Sequence, residues 1–398
     1  MRSKKLKKIS ELYYKYGALF LLLLFASVQF VLILRHKSPY LSDSYFYKHV
    51  FYELKGDSFE KARQRIIAQV DFQRADEITK NFFLNESSYK NSLSFFTKRP
   101  LYPILAYFFN VFGTSEYISF LAPVFLSYLA IIFLVFRLTE NSLGQFWSVL
   151  TTALFISFYP FLDWSTYFLT DTIGAFFWLL LIILALNYIL SKKRKWIYLF
   201  SFVQIVSLLN REQTLLMPAL FLIFLIIGKL TNLPSSIRSY EVKLLALSSA
   251  IAAVYILTSL IFKQKNIIDT IIYTQNNYGL FNNNYSFGQT VFYLLRAVIE
   301  SHAAFLKDLV QHHWWATLFL LSNLAIIQYF INGKKGNPID VMIISSGAAS
   351  YLSIFLYPVL SYRYFSPVLF TILYLSVKFT RDFFQKNSKI SFRKYGST

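Results

Sequence analysis

Residues 196–228 read WIYLFSFVQIVSLLNREQTLLMPALFLIFLIIG, apolar throughout except for one dense polar group, Asn210-Arg211-Glu212-Gln213. A membrane span needs about 20 apolar residues, so the stretch is too long for one crossing and just long enough for two short ones. Flanking charge decides between them. SKKRK precedes the stretch at 191–195, and a second basic segment follows at 229–243. Short basic connectors stay on the cytoplasmic side of a membrane. Two such connectors on one side require an even number of crossings between them. The stretch is therefore expected to be a hairpin of two spans, with Asn210–Gln213 at its outer tip.

The rest of the chain has the same character. Of its 398 residues, 56% are hydrophobic and 15% charged, and mean hydropathy is +0.45, which places it among polytopic membrane proteins. The net charge of +20 lies in short segments between apolar runs, which is an orientation signal and no nucleic-acid footprint. With no cysteine, disulfide and thiolate chemistry are excluded. The basic start, MRSKKLKKIS, runs into an apolar stretch at 17–34 without a small-residue cleavage site, so an uncleaved first span is expected.

Clear spans are expected at 17–34, 117–138, 143–162, 172–190, 242–262, 314–331 and 339–360, with a last short one at 364–377 after an outer turn at 361–363. Residues 99–113 (RPLYPILAYFFNVFG) are apolar but short. Counting them as a span would put SKKRK outside, so they are read as an interfacial helix. The expected fold is an all-α polytopic membrane domain of about ten transmembrane helices over residues 1–380, followed by a basic cytoplasmic tail at 381–398. Both termini are expected in the cytoplasm, of a bacterium. Residues 35–116 form a long first outer loop with interfacial helices, and 263–313 a second large one.

The apolar cores carry few ionisable side chains, unlike those of pumps and proton-coupled transporters. Charge gathers at outer helix ends instead. Asp43 follows the first span in LSDSYFY, Asp163 and Asp171 bracket the turn DWSTYFLTD, Arg211 and Glu212 occupy the hairpin tip, and Arg363 precedes the last span. Arginines at headgroup depth suit a lipid-linked phosphate, which the planar guanidinium binds through two oxygens. A neighbouring carboxylate can take the proton of an attacking hydroxyl. That pattern fits sugar transfer from a polyprenyl carrier at the extracytoplasmic face.

In the order of these features the chain resembles the GT-C superfamily of integral membrane glycosyltransferases, notably its protein O-mannosyltransferase and lipid A aminoarabinose transferase branch. SDSYFY supplies the acid that opens the first outer loop, Asp43. RPLYPILAYFFNVFG matches the segment of form R-x-x-x-P that leads to F-G. LTDTIGAFFWLLL supplies Asp171, LLNREQT supplies Arg211, and RYFSP supplies Arg363 with Tyr364. The resemblance implies an inverting transferase with a polyprenyl-phosphate sugar donor and a lipid, glycan or protein acceptor. Asp43 would be its catalytic base, and Asp171, Arg211, Glu212, Arg363 and Tyr364 would bind substrate. No cofactor is required by the pattern; a divalent cation is the one candidate. The chain departs from many relatives in carrying a single acid, Asp43-Ser44, where they have two.

Each of these residues also has a structural use. Ser42-Asp43 can open a helix, Asp171 can complement a helix N-terminal dipole, Arg211 and Glu212 can pair within a turn, and Arg363 can snorkel to headgroups. His302, His312 and His313 match no recognised ligand spacing, and HHWW reads as an interfacial belt. The rival functions are a transporter or flippase of lipid-linked saccharides, which needs charge at mid-membrane depth, and a non-catalytic envelope scaffold. A ligase or polymerase is an enzymatic variant of the same reading.

Overall fold

The computed structural model describes residues 2–73, 75–265, 269, 272–273, 275–276, 285–311, 313–331, 336–355 and 366–395. They are helical, with no strand among them. A long first helix, α1 (Arg2–His36), leads to five shorter ones: α2 (Ser42–Leu54), α3 (Phe59–Ile67), α4 (Glu77–Leu84), α5 (Glu86–Thr97) and α6 (Leu101–Val111). The bundle continues through α7 (Glu116–Leu143), α8 (Gln145–Ile156), α9 (Tyr159–Trp164), α10 (Asp171–Ser191) and α11 (Arg194–Leu208). After a 3-10 turn at Glu212–Leu216 come α12 (Met217–Leu230) and α13 (Ser235–Ile261). The last helices are α14 (Phe287–Gln311), α15 (His313–Ile331), α16 (Pro338–Tyr351) with a 3-10 turn at Leu352–Phe355, and α17 (Ser366–Tyr395).

Among the described residues, six helices are long and apolar enough to cross a membrane: Tyr16–His36, Glu116–Leu143, Asp171–Ser191, Glu212–Leu230, Ser235–Ile261 and Trp314–Ile331. The chain is an integral, polytopic membrane protein. The stretch 196–228 is interrupted at its polar group: it forms α11 and α12, joined at Asn210–Leu216, of which Glu212–Leu230 is a candidate span and the 15-residue α11 is not. Residues 99–113 hold only the 11-residue α6, too short to cross.

The continuous helix expected at 143–162 is corrected. It breaks after α8, which has 12 residues, and resumes as the one-turn α9. The break falls at Phe158, which is extended (φ −75°, ψ 95°), and Pro160 lies in the first turn of α9, where its missing N–H costs nothing, whereas inside one continuous helix it would remove a backbone bond. Helix α16 is likewise short, but its residues from Asp340 to Gly347 are all buried by neighbouring helices. A helix enclosed by protein need not be apolar all round, and Trp178 Nε1 donates to Ser346 Oγ across it at 2.9 Å. Gly144 joins α7 to α8 at φ +84°, ψ 169°, a conformation open essentially only to glycine.

The helices alternate in direction, so their connections sort into two ends. One end carries 140–145, 191–194, 230–235 and 336–340. There Gly336 N donates to Thr231 O at 2.8 Å, and the buried Asp340 of α16 is bound by Lys378 and Tyr374 of α17. Arg381 donates to Ser142 O at 2.9 Å. SKKRK and the 229–243 cluster lie at this end. The opposite end carries α2–α6, α9, the 3-10 turn after α11 and the start of α17.

At that opposite end α2 to α5 pack into an aromatic cap. Phe46 stacks on Phe83 and Phe96, and the buried His49 shares a hydrogen bond with Tyr89 Oη at 2.8 Å. Burial holds the imidazole neutral, its pKa lowered to about 4. It faces the Tyr89 hydroxyl, the Glu53 carboxylate at 3.3 Å and the Phe59 ring. An unfolded histidine binds its proton near pH 6.5, so the unfolded state takes up more protons between pH 6.5 and 4. The stability that neutral His49 contributes is therefore complete above pH 6.5 and is lost as pH falls towards 4, by at most about 3 kcal/mol. Hydrogen exchange across residues 42–97 should lose protection over this window in wild type, and His49→Phe should flatten the dependence. An unchanged pH profile in His49→Phe would assign the acid sensitivity elsewhere.

Candidate active site

The centre of the site is a buried ion pair between two turns at the end of the bundle that carries α2–α6. Asp171 stands in the first turn of α10, where a carboxylate complements the unpaired N–H groups of a helix start. Arg211 follows the end of α11 in an extended conformation, φ −165° and ψ 143°, which carries its side chain out of the helix line. Arg211 Nη1 donates to Asp171 Oδ1, and the two side chains are 2% and 4% exposed. Beside them Asn210 Nδ2 donates to Thr170 O at 3.0 Å, locking the same two turns through backbone. Gly174, one helical turn into α10, packs on the same two residues; a Cβ there would meet Asn210 Nδ2 at 3.5 Å and Arg211 Cδ at 3.6 Å, ordinary contact distances.

A second ionic group adjoins the first in sequence. Glu212 takes Lys98 Nζ at 2.5 Å on one carboxylate oxygen and Arg99 Nη2 at 2.8 Å on the other, with Arg99 Nε at 3.0 Å. All three side chains are about nine-tenths buried. Leu101 N donates to Leu209 O at 3.1 Å, and Lys98 Nζ also donates to Lys265 O at 2.8 Å. These bonds clamp the start of α6 onto the hairpin tip. Burial lowers the Lys98 pKa, against the opposing pull of Glu212. Glu212→Gln would leave two buried cations without their counter-charge, at a cost of about 3 kcal/mol in unfolding free energy. Lys98→Met should cost clearly less, because Arg99 still holds the carboxylate; denaturant melts of the two variants check the order.

Asp43 reaches this end by a different route. It lies half-buried in the first turn of α2. Tyr47, one turn later on the same helix face, is fully buried, and its hydroxyl shares a hydrogen bond with Thr170 Oγ1 at 3.2 Å. Thr170 immediately precedes Asp171, so the α2 face that carries Asp43 is tied to the residue beside the ion pair. The link between α1 and α2 is pinned as well. Lys37 Nζ binds Asp163 Oδ1 at 2.6 Å and sits 3.5 Å from the Tyr167 ring centroid, and Phe168 N donates to Pro39 O at 2.9 Å. Asp163 thus serves as an anchor for the loop.

A small crevice opens against Asp171, lined by Phe161, Trp164, Ser165, Thr172, Ala175 and Ser366. It shares Phe161, Ala175 and Ser366 with a second small space whose lining is mostly apolar and includes Leu179, Ile131 and Phe370.

Of the residues expected from sequence, Asp171 and Arg211 meet directly. Glu212 turns instead to Lys98 and Arg99, so the expected alternative of an Arg211–Glu212 turn pair is replaced by two separate long-range pairs. Arg363 and Tyr364 lie outside the described residues, although Ser366 of the same RYFSP segment lines the crevice. Lys98 is the residue that sequence reasoning passed over. Its signal was two adjacent cations directly before Pro100 and an apolar helix, where basic residues at a membrane edge ask for an anionic partner. His302 bonds Tyr351 and Val298 O, and among the described residues no three His, Asp or Glu side chains cluster as a metal set.

Residues 100–262 match the family model of dolichyl-phosphate-mannose-protein mannosyltransferase, a family of the GT-C superfamily. The matched segment contains Asp171, Arg211 and Glu212 and begins just after Lys98 and Arg99. No curated protein and no solved structure matches the chain. The match and the apolar helices together support a membrane glycosyltransferase of the GT-C type.

Proposed function

We propose that the protein transfers a sugar from a polyprenyl-phosphate-linked donor to an acceptor hydroxyl at the extracytoplasmic membrane surface. The observation that carries this reading is the convergence of residues 98–99, 171 and 211–212 at one end of the bundle, with a small crevice opening against Asp171. Lys98, Arg99 and Arg211 bring three buried cations together at this end, the side-chain type whose charge-assisted hydrogen bonds hold a phosphate.

In the reaction, Asp43 takes the proton of the acceptor hydroxyl as its oxygen attacks the anomeric carbon. The new C–O bond forms while the bond from that carbon to the phosphate oxygen breaks. Polyprenyl phosphate leaves with the bonding electron pair, and configuration inverts. Arg211 and Arg363 stabilise the charge that gathers on the leaving phosphate, a role for which preorganised buried donors are strongest. Asp171 holds Arg211 in position, and Glu212 does the same for Lys98 and Arg99. Tyr364 adds a hydroxyl donor beside Arg363. Membrane lipids surround the site, and a divalent cation would serve only as a further phosphate counter-ion. The acceptor is a lipid, glycan or protein hydroxyl, and the membrane is a bacterial cytoplasmic membrane, with the basic end of the bundle and both termini inside.

The test is transfer of labelled sugar from a panel of polyprenyl-phosphate sugars by the full-length protein in nanodiscs. Transfer is expected with at least one donor and should be absent when the carrier lacks its lipid chain. A folded protein that is inert with every donor, yet moves lipid-linked saccharide across a vesicle membrane, would establish the flippase reading.

A further inference from the structure

Helix α14 (Phe287–Gln311) divides into three sectors. Thr290 and Ser301 are buried against the bundle, and Phe305 meets Phe319 of α15 with ring centroids 5.7 Å apart. A second sector holds Gln289, Arg296, Glu300 and Lys307, with Arg296 and Glu300 both 62% exposed and paired to each other. The third is apolar and uncovered: Phe292, Leu295, Ile299, Leu306 and Val310 are 53–73% exposed and fall on one continuous stripe at helical spacing. A helix standing in water would not leave such a stripe open, and one crossing the bilayer would not carry the polar sector beside it.

Position in the fold identifies what covers the stripe. Helix α14 ends at Gln311, and the candidate span Trp314–Ile331 begins three residues later with paired tryptophans, the residue type that marks a membrane–water boundary. Midway along α14, His302 bonds Tyr351 at the end of α16, and the 3-10 turn that follows α16 packs on the turn carrying Glu212. The helix is thus held at the depth of the candidate active site, where the outer ends of the spans lie.

We infer that α14 is an in-plane helix of the bilayer surface: its apolar stripe sits among acyl chains, its charged sector faces water, and its third face packs on the bundle. The ligand of this surface is phospholipid. The inference does not depend on the transferase reading.

The chain has no cysteine, so a single introduced thiol reports without ambiguity. Spin labels at Leu295→Cys, Ile299→Cys and Leu306→Cys, in full-length protein reconstituted in phosphatidylcholine–phosphatidylglycerol vesicles, are compared with Arg296→Cys, Glu300→Cys and Lys307→Cys. The oxygen-to-nickel-chelate accessibility ratio should be at least about fivefold higher on the apolar stripe than on the charged sector. Equal ratios on the two sectors would overturn the proposal. So would stripe labels that are immobile and closed to both relaxants, the outcome expected if a second copy or another protein covers the stripe.

Discussion

Asp43→Asn is expected to lower sugar transfer by about 10²–10⁴-fold, the usual contribution of a positioned general base, while leaving the fold intact. The fold should survive because Asp43 is half-buried in the first turn of α2, whose cap is Leu41 and not the expected Ser42-Asp43, so the amide gives up only a charge–dipole attraction of about 0.3–1 kcal/mol. The amide keeps the shape and hydrogen-bonding reach of the carboxylate but takes no proton. The loss should fall on kcat, with donor KM little changed, since the donor phosphate is held by other residues. Asp43→Glu should retain part of the rate, because it restores the base at a displaced position. Steady-state kinetics on protein of unchanged melting temperature decide the matter. Full activity in Asp43→Asn would remove the residue from the mechanism and with it the role assigned to the face of α2.

The second large effect belongs to the Asp171–Arg211 pair. Removing one partner of a buried pair leaves a charge without compensation, so Asp171→Leu and Arg211→Met are each expected to cost about 3–5 kcal/mol of stability. The double variant, with both charges replaced by apolar groups of similar size, should regain most of that loss. Its activity then separates two roles. If Arg211 holds the leaving phosphate, the double variant folds and stays inactive. If the pair only fastens α10 to the hairpin tip, the double variant folds and transfers sugar. Arg211→Lys should not rescue, because an ammonium cannot reproduce the planar two-point contact. Thermal unfolding and transfer assays on the four proteins make the comparison.

Part of this site was legible before any coordinates. Arg211 and Asp171 were both singled out because they interrupt or border apolar stretches, where a charge is costly without a purpose. Their pairing was not legible, since 40 residues separate them and the choice depends on how α10 and α11 lie side by side. The same holds for Lys98 and Glu212, 114 residues apart, and for Lys37 and Asp163, 126 apart. Glu212 has an arginine next to it in sequence, and a pair within the turn is the structural alternative to a substrate-binding role for the two. The extended backbone at Arg211 turns the two side chains to different neighbours instead.

The amino-acid sequence alone determined that the chain lives in a membrane and that the polar group at 210–213 interrupts the apolar stretch 196–228. These follow from solvation and charge placement, properties of short segments that do not depend on what packs against them. Only the tertiary structure decided which carboxylate meets which cation, where the expected span at 143–162 breaks, and that α14 exposes one apolar face. Those outcomes depend on contacts between helices distant in the chain, whose rotation and depth no local pattern specifies.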